Sequence, residues 1–290
     1  MNNALVLGGR TGLLGQALVR ILRQKGWEIE TLGREDGNLF DSALLQHRLK
    51  TIAPKFVFNT IAWTQVDNAE DAPQEAMRWN ADFPLFLAKC LKGSGSHLIH
   101  YSTDFVFSGK GEHKLDEKAE TVPVSVYGST KLVGEKNIQE ILPQNSAILR
   151  TAWLFGPGRK NFVQTMIDLS SKHDMLRVVC DQTGCPTYSL DLAIWSAVIA
   201  EKRLTGIYHT VNSGKATWYE LASEAIRLSG NICKVMPIAS AEWPQKAARP
   251  AYSVLNTEKL IRDTDIHPRP WQEALADYVN KEMPHDVSTR

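Results

Sequence analysis

The sequence predicts an α/β protein in which a doubly wound parallel sheet is followed by a smaller α/β domain. Apolar runs of strand length alternate with helical segments over the first 150 of the 290 residues, and this regular alternation ends near residue 151. Alternating strands and helices form parallel sheets, because each helix returns the chain across one face. We therefore expect domains at 1–150 and 151–290, with some exchange of strands and helices between them.

The first strand, residues 4–7, runs into a glycine-rich turn. Gly9, Gly12 and Gly15 are spaced three apart, and an amphipathic pattern over 14–24 follows them. Backbone without Cβ atoms lets a pyrophosphate approach the start of a helix, where free N–H groups favour an anion. The turn predicts a dinucleotide site in a Rossmann-like fold, with a purely structural turn as the alternative.

The second strand, residues 27–32, is followed by Arg34 where many such folds carry an acid. An acid at this point binds the ribose 2′-hydroxyl, whereas an arginine accommodates a 2′-phosphate. Glu35 and Asp36 follow at once. We therefore expect NADPH, with NADH as the alternative cofactor. Arg34 as a solvated loop cation also remains open.

Two further strands, residues 56–59 and 98–102, end at the edge of the sheet where the first strand ends. Ligands of open parallel sheets bind outside this carboxyl edge. The exit of the earlier strand carries Trp63, which would pack either on the cofactor or in the core. The exit of the later strand carries Thr103.

Two connecting segments are unusual. The helix predicted over about 73–91 has Asn80 near its middle, which is unfavourable unless its side chain bonds something specific. The loop over 107–123 is rich in Gly, Lys and Glu and would be either a lid or a solvated connection.

A helix predicted over 127–140 places Tyr127 and Lys131 on one face, one turn apart. A phenol ionises near a pH of about 10, so it transfers a proton poorly at neutral pH unless a nearby positive charge lowers its pKa. Lys131 can supply that charge, and Thr103 can bond a substrate carbonyl or alcohol. A solvated helix face is the alternative.

The second half of the chain is less regular and predicts a smaller substrate domain. After a fifth strand over 146–150, the predicted helices are 161–171, 191–201, 218–229 and 271–281, and the predicted strands are 177–180 and 206–211.

Composition limits the partners. The formal net charge is +1, which favours neither nucleic acid nor an anionic membrane. The four cysteines form no Cys-x-x-Cys pair, and no apolar run is long enough to span a bilayer. We expect a cytoplasmic protein with a small-molecule partner and no metal, although Cys180 and Cys185 leave a metal or redox pair open.

Three motifs together carry a resemblance. They are the glycine turn at 9–15, the segment YSTDFVF at 101–107 and the segment YGSTKLVGE at 127–135. In combination they resemble the extended short-chain dehydrogenase/reductases, and within them the dTDP-4-dehydrorhamnose reductases. The similarity extends over nearly the whole chain, including 62–70, 150–153, 181–187 and 206–209.

The resemblance implies roles for individual residues. Tyr127 would donate the proton, Lys131 would hold the nicotinamide ribose and lower the pKa of the phenol, and Thr103 would adjust the tyrosine and touch the sugar. The other substrate-binding residues would be Asp104, Trp153 and, in a loop facing the cleft, Arg249. The cofactor would contact Gly9, Gly12, Leu13, Leu14, Gly15, Arg34, Asn38, Leu39, Ile61, Ala62, Trp63, Tyr127 and Lys131.

Three places depart from the family pattern. Asn38 stands where an acid is usual near the adenine, and Tyr252 stands where a smaller polar residue is common. Some members are linked into dimers through magnesium held by glutamates, and the matching positions here are Ala17 and Leu190. These two residues argue against a metal-linked dimer, and a monomer or homodimer is expected.

The resemblance implies NADPH-dependent reduction of the C4 ketone of a dTDP-linked 4-keto-6-deoxyhexose, dTDP-4-dehydro-6-deoxy-L-mannose. One alternative is a reductase for another nucleotide-linked keto sugar. A second is a non-catalytic, NADP-binding regulatory subunit of the methionine adenosyltransferase beta type.

Overall fold

The computed structural model describes residues 2–243 and 245–283. Residues 284–290, the end of the predicted second domain, lie outside the described residues. The strands are β1 (Asn3–Leu7), β2 (Glu28–Leu32), β3 (Phe56–Asn59), β4 (His97–Thr103), β5 (Ser146–Thr151), β6 (Leu154–Phe155), β7 (Met175–Val179), β8 (Thr183–Gly184), β9 (Thr187–Tyr188), β10 (Gly206–His209), β11 (Ala216–Thr217) and β12 (Lys234–Ile238). The helices are α1 (Leu13–Gln24), α2 (Ser42–Ile52), α3 (Val66–Asp71), α4 (Pro73–Met77), α5 (Phe83–Leu91), α6 (Val126–Ile141), α7 (Phe162–Ser170), α8 (Ser189–Glu201), α9 (Trp218–Ser229), α10 (Glu258–Thr264) and α11 (Trp271–Glu282).

A six-stranded parallel sheet forms the centre of the molecule, in the order β10-β5-β4-β3-β1-β2. Helices cover both faces because the central strands β1, β3, β4 and β5 are buried on both sides. One apolar cluster joins the sheet to α1, α8 and α11, and a second joins it to α2, α5 and α6. This doubly wound sheet confirms the predicted α/β fold class.

The second half of the chain contributes to this sheet. Strand β10 pairs in parallel with β5, and α8 packs against α1. Ala17 and Leu190, the positions compared with magnesium ligands, are both buried in the apolar cluster around these helices. The other short strands pair outside the large sheet, as β7 with β12, β6 with β9 and β8 with β11. A domain boundary at residue 150 stays a prediction.

The segment predicted as one long helix consists of α4, a π-helical turn at Arg78–Asp82, and α5. Asn80 lies in the π-helical turn and is fully buried. Its side-chain oxygen accepts from the Trp63 backbone N–H at 2.8 Å, and its side-chain nitrogen donates to the Trp63 carbonyl and the Thr130 hydroxyl, each at 3.1 Å. Asn80 therefore fixes the loop after β3 to α6.

None of the helices within 2–243 and 245–283 has the length and apolar character that crossing a bilayer requires.

Candidate active site

The glycine turn brings the start of α1 close to the backbone of β1. A Cβ atom on Gly15 would lie 2.2 Å from the carbonyl oxygen of Gly8, and one on Gly12 would lie 2.9 Å from it. Gly12 is the N-cap of α1, and no side chain among the described residues accepts a hydrogen bond from the free N–H groups there. The helix therefore begins with unpaired donors at a backbone surface that side chains do not cover, which suits an anion.

A cleft of about 250 Å³ opens beside this turn, at the carboxyl edge of β1 and β3. Five of the predicted cofactor residues line it, namely Gly12, Arg34, Ile61, Ala62 and Trp63. The remaining lining residues are Gly8, Thr11, Glu35, Thr60, Thr64, Gln65 and Arg159.

Several predicted cofactor residues pack within the protein and do not line this cleft, and their contact with the cofactor stays a prediction. A Cβ on Gly9 would meet Thr31 and Val19 rather than the cleft, and Gly15 packs on Gly8. Leu13 begins α1 without lining the cleft, whereas Leu14 and Leu39 belong to the core clusters. Asn38 is exposed, and its side chain accepts from the backbone N–H of Phe40. The structure does not bring these residues into the cleft.

Arg34 is the cation that faces the cleft at the end of β2. Its guanidinium lies 3.8 Å from the centre of the Trp79 ring and donates to the carbonyl of Ala62 at 3.4 Å. Partial burial lowers its pKa. The acids that follow are paired, because Arg10 binds Glu35 at 2.8 Å and also binds Asp36.

These observations fit a phosphorylated dinucleotide. The open helix start fits the diphosphate. Arg34, which forms no ion pair with a carboxylate within residues 2–243 and 245–283, fits a 2′-phosphate better than a ribose hydroxyl. The two acids that would favour NADH are already engaged by Arg10.

Thr103 and Tyr127 meet where β4 and α6 approach each other. The Thr103 hydroxyl hydrogen-bonds to the phenol of Tyr127 and donates to Asp104 at 3.1 Å. The Tyr127 ring stands edge-on to Phe105, with ring centres 5.5 Å apart. Tyr127 is partly buried, and neither it nor Thr103 lines the cleft beside the glycine turn.

Close packing fixes the start of α6. The Ser125 hydroxyl accepts from the N–H of Gly128 at 3.1 Å, and the Glu70 carboxylate accepts from the N–H of Val126 at 2.9 Å. A Cβ on Gly128 would lie 2.2 Å from the carbonyl oxygen of Phe105. Glycine at this position lets the first turn of α6 touch the backbone after β4, which holds Tyr127 against Thr103.

Burial dominates the ionisation of the phenol and the ammonium. It raises the pKa of Tyr127 to about 12, and the hydrogen bond from Thr103 opposes this shift. Burial likewise lowers the pKa of Lys131 to about 8, against the charge of Glu135. The sequence suggested that the charge of Lys131 lowers the phenol pKa, whereas in this structure burial is the largest influence and raises it. The Lys131 ammonium is buried and donates to the carbonyl of Tyr101 at 2.6 Å.

Asp104 lies behind this pair and is 2% exposed. Its second carboxylate oxygen accepts from the hydroxyl of Ser253 at 2.6 Å, and burial raises its pKa to about 6. Asp104 is thus held by Thr103 and Ser253 rather than standing open in a pocket. Sequence reasoning missed Ser253, and its only signal was its place shortly after Arg249.

The other two predicted substrate residues are held by the protein. Arg249 donates to both oxygens of Asp67, at 3.0 and 2.8 Å, and this contact lowers the pKa of Asp67 to about 2. Trp153 stacks on Trp218 with ring centres 3.6 Å apart. Arg249 also lines a second cavity of about 390 Å³, whose other lining residues are Asp181, Gln182, Ser240, Ala241, Trp243, Gln245, Ala247, Ala248 and Ala251. Substrate binding by either residue stays a prediction.

Arg159 was also missed. It lies in the Gly-Pro-Gly-Arg turn after β6, and the only sequence signal was this turn. Within residues 2–243 and 245–283, no group of three His, Cys, Asp or Glu side chains is placed to hold a metal ion. All four cysteines are free thiols, so Cys180 and Cys185 are not joined by a disulfide.

The parallel sheet, the glycine turn at its first helix and the tyrosine–lysine helix at its carboxyl edge define a Rossmann-type oxidoreductase. Residues 2–283 match the family described as the RmlD substrate binding domain, and the chain belongs to this family.

Named relatives and a solved structure agree with this assignment. The dTDP-4-dehydrorhamnose reductase of Streptomyces griseus is 39% identical over 93% of this chain and 90% of its own. A probable dTDP-4,6-dihydroxy-2-methyloxan-3-one 4-ketoreductase of Streptomyces antibioticus is 38% identical over 93% and 92%. The crystal structure of dTDP-4-dehydrorhamnose reductase from Bacillus anthracis in complex with NADP superimposes with a TM-score of 0.91, at 30% identity over 96% of this chain and 99% of that one.

Proposed function

We propose that the protein is an NADPH-dependent reductase that converts the C4 ketone of dTDP-4-dehydro-6-deoxy-L-mannose to the alcohol of dTDP-L-rhamnose, a precursor of polysaccharides. One observation carries this proposal. The hydrogen-bonded hydroxyls of Thr103 and Tyr127 stand at the same sheet edge as the cleft beside the glycine turn, in a chain whose relatives are named as reductases of dTDP-linked keto sugars.

Bound NADPH would supply the hydride to C4. Tyr127 donates a proton to the ketone oxygen, and its raised pKa keeps the phenol protonated at neutral pH. The Thr103 hydroxyl donates to Asp104 in this structure, and turning its single proton to Tyr127 would stabilise the phenolate left behind. Lys131 holds the nicotinamide ribose, and its charge favours the same phenolate.

In this proposal the protein is a cytoplasmic monomer or homodimer that binds a nucleotide sugar. Residues 1–150 supply most cofactor contacts, and residues 151–290 supply Trp153 and Arg249 to the substrate. No nucleic acid or membrane partner is part of it.

A second candidate is reduction of another dTDP-linked keto sugar. The name of the Streptomyces antibioticus relative, which denotes a different sugar, favours it.

The test is an assay with enzymatically generated dTDP-4-dehydro-6-deoxy-L-mannose, in which NADPH oxidation is followed by absorbance and compared with NADH. We expect turnover with a higher kcat/KM for NADPH. A panel of other nucleotide-linked keto sugars separates the two candidates by kcat/KM. If no keto sugar is reduced while NADPH still binds, both candidates are wrong, and a non-catalytic binding protein remains.

The pH dependence of kcat/KM should report the ionisation of Lys131. We expect kcat/KM to fall as the pH rises through about 8, because the buried Lys131 ammonium then loses its proton and its charge. Asp104 titrates lower, near a pKa of about 6. Burial, together with the charge of Lys131, holds the pKa of His100 well below its usual value. Glu135→Gln should move the upper midpoint to lower pH, since Glu135 raises the lysine pKa. A profile flat between about pH 7 and 9 would contradict a role for the ammonium.

A further inference from the structure

Two arginines from different halves of the chain face the same cleft. Arg34 follows β2, and Arg159 lies in the turn between β6 and α7. Burial is the main cause of the lowered pKa of Arg34. The charge of Glu75 opposes this shift, and the charge of Arg159 adds to it. Within residues 2–243 and 245–283, no carboxylate forms an ion pair with either guanidinium.

The turn that carries Arg159 is held in place. The Gln16 side chain, in the first turn of α1, donates to the carbonyl of Gly158 at 3.1 Å. The Asn161 side chain donates to the carbonyls of Gly156 at 2.9 Å and Arg159 at 3.2 Å. Gly158 has a φ of +94°, and a Cβ there would come within 2.8 Å of the Gln16 side chain.

Like charges that face each other across a cleft repel, and folding gains nothing from bringing them together. Glu35 is the carboxylate that also lines the cleft, and it is bound by Arg10. The arrangement is favourable once an anion lies between the guanidinium groups, because arginine binds phosphate through paired, charge-assisted hydrogen bonds.

We propose that Arg159 binds a phosphate group of the dinucleotide, so that the cofactor is held between Arg34 of the first half of the chain and Arg159 of the second. This inference rests on the proposed function, since it assumes that the cleft takes a phosphorylated dinucleotide. It adds a binding residue from the half of the chain that the proposal otherwise assigns to the substrate.

The test is the dissociation constant of NADPH and of NADH, measured by tryptophan fluorescence in the absence of sugar. Arg159→Ala should weaken NADPH binding by roughly 10-fold or more, because a charge-assisted hydrogen bond is lost. Lys160→Ala is the matched control. It removes the same charge from the next residue, which is exposed and does not line the cleft, and should leave both constants unchanged.

Two results support the proposal and identify the phosphate. A loss confined to NADPH assigns Arg159 to the 2′-phosphate, and an equal loss for NADPH and NADH assigns it to the diphosphate. If the wild type binds NADPH and Arg159→Ala binds both cofactors as the wild type does, or if Lys160→Ala weakens binding equally, the proposal is wrong. If the wild type binds neither cofactor, the proposed function itself fails.

Discussion

Replacing Tyr127 with phenylalanine is expected to lower kcat by about 10²–10⁴-fold, the usual contribution of a positioned proton donor. Only the hydroxyl group is removed, and the ring keeps its edge-on contact with Phe105. NADPH affinity should therefore stay near the wild-type value. The measurements are steady-state reduction of the keto sugar and a fluorescence titration with NADPH.

Tyr208→Phe is the matched control for this variant. It also removes one phenol hydroxyl. Tyr208 lies on the edge strand β10, and its hydroxyl donates to Asp263 at 2.9 Å. Its kcat should match the wild type. Wild-type turnover by Tyr127→Phe would remove this residue from the mechanism. Equal losses in both variants would mean that a phenol matters for the fold and not for proton transfer.

Replacing Arg150 with methionine is expected to cost about 3–5 kcal/mol of unfolding free energy, because it leaves a buried carboxylate without its partner. Arg150 and Glu135 are 3% and 1% exposed at their side chains and form two hydrogen bonds, at 2.9 and 2.7 Å. The pair connects α6 to β5 beneath Lys131. Urea unfolding, with the midpoint and slope both reported, measures the loss.

The double variant Glu135→Gln with Arg150→Met should recover much of this stability, since neither charge is then left unpaired. Arg227→Met is the matched control. It breaks a pair with Glu224 in which the arginine side chain is 67% exposed, and its effect should be far smaller because water screens that pair. A cost for Arg150→Met no larger than that of the control would show that the buried pair does not stabilise the fold.

Several elements could be predicted because their signals are local. The strand β3 at Phe56–Asn59 and the helix α9 at Trp218–Ser229 match their predicted bounds, since hydrophobic period and length decide such elements. The expectation that Asn80 bonds something specific is also confirmed, because a buried amide inside a helix must find partners.

The site was predicted less completely. Gly9 was assigned to the cofactor from the glycine spacing, and Leu14 and Leu39 from the family resemblance. In the structure all three pack against neighbouring residues and do not line the cleft. Spacing shows which residues lie near a turn, but which of them face the cleft depends on how α1 and β2 pack. Arg159 lies far along the sequence from the glycine turn, so no local pattern connects the two.

The loop over 107–123 shows the same limit. Its composition was compatible with a lid or with a solvated connection. In the structure, Leu115 pairs with Leu255, and the Glu117 carboxylate accepts from the N–H of His209 at 2.9 Å. These partners lie more than 90 residues further along the chain. A loop that looks mobile in sequence is fixed here by tertiary contacts.

By itself the sequence determined the parallel α/β sheet, the glycine turn at its first helix and the pairing of Tyr127 with Lys131 on one helix face. Each follows from periodicity or from spacing within a few turns. Only the tertiary structure decided that burial raises the pKa of Tyr127, that Arg249 forms an ion pair with Asp67, and that Arg159 lies near Arg34. The physical reason is that desolvation and charge pairing depend on which distant segments pack together, and no local pattern records that.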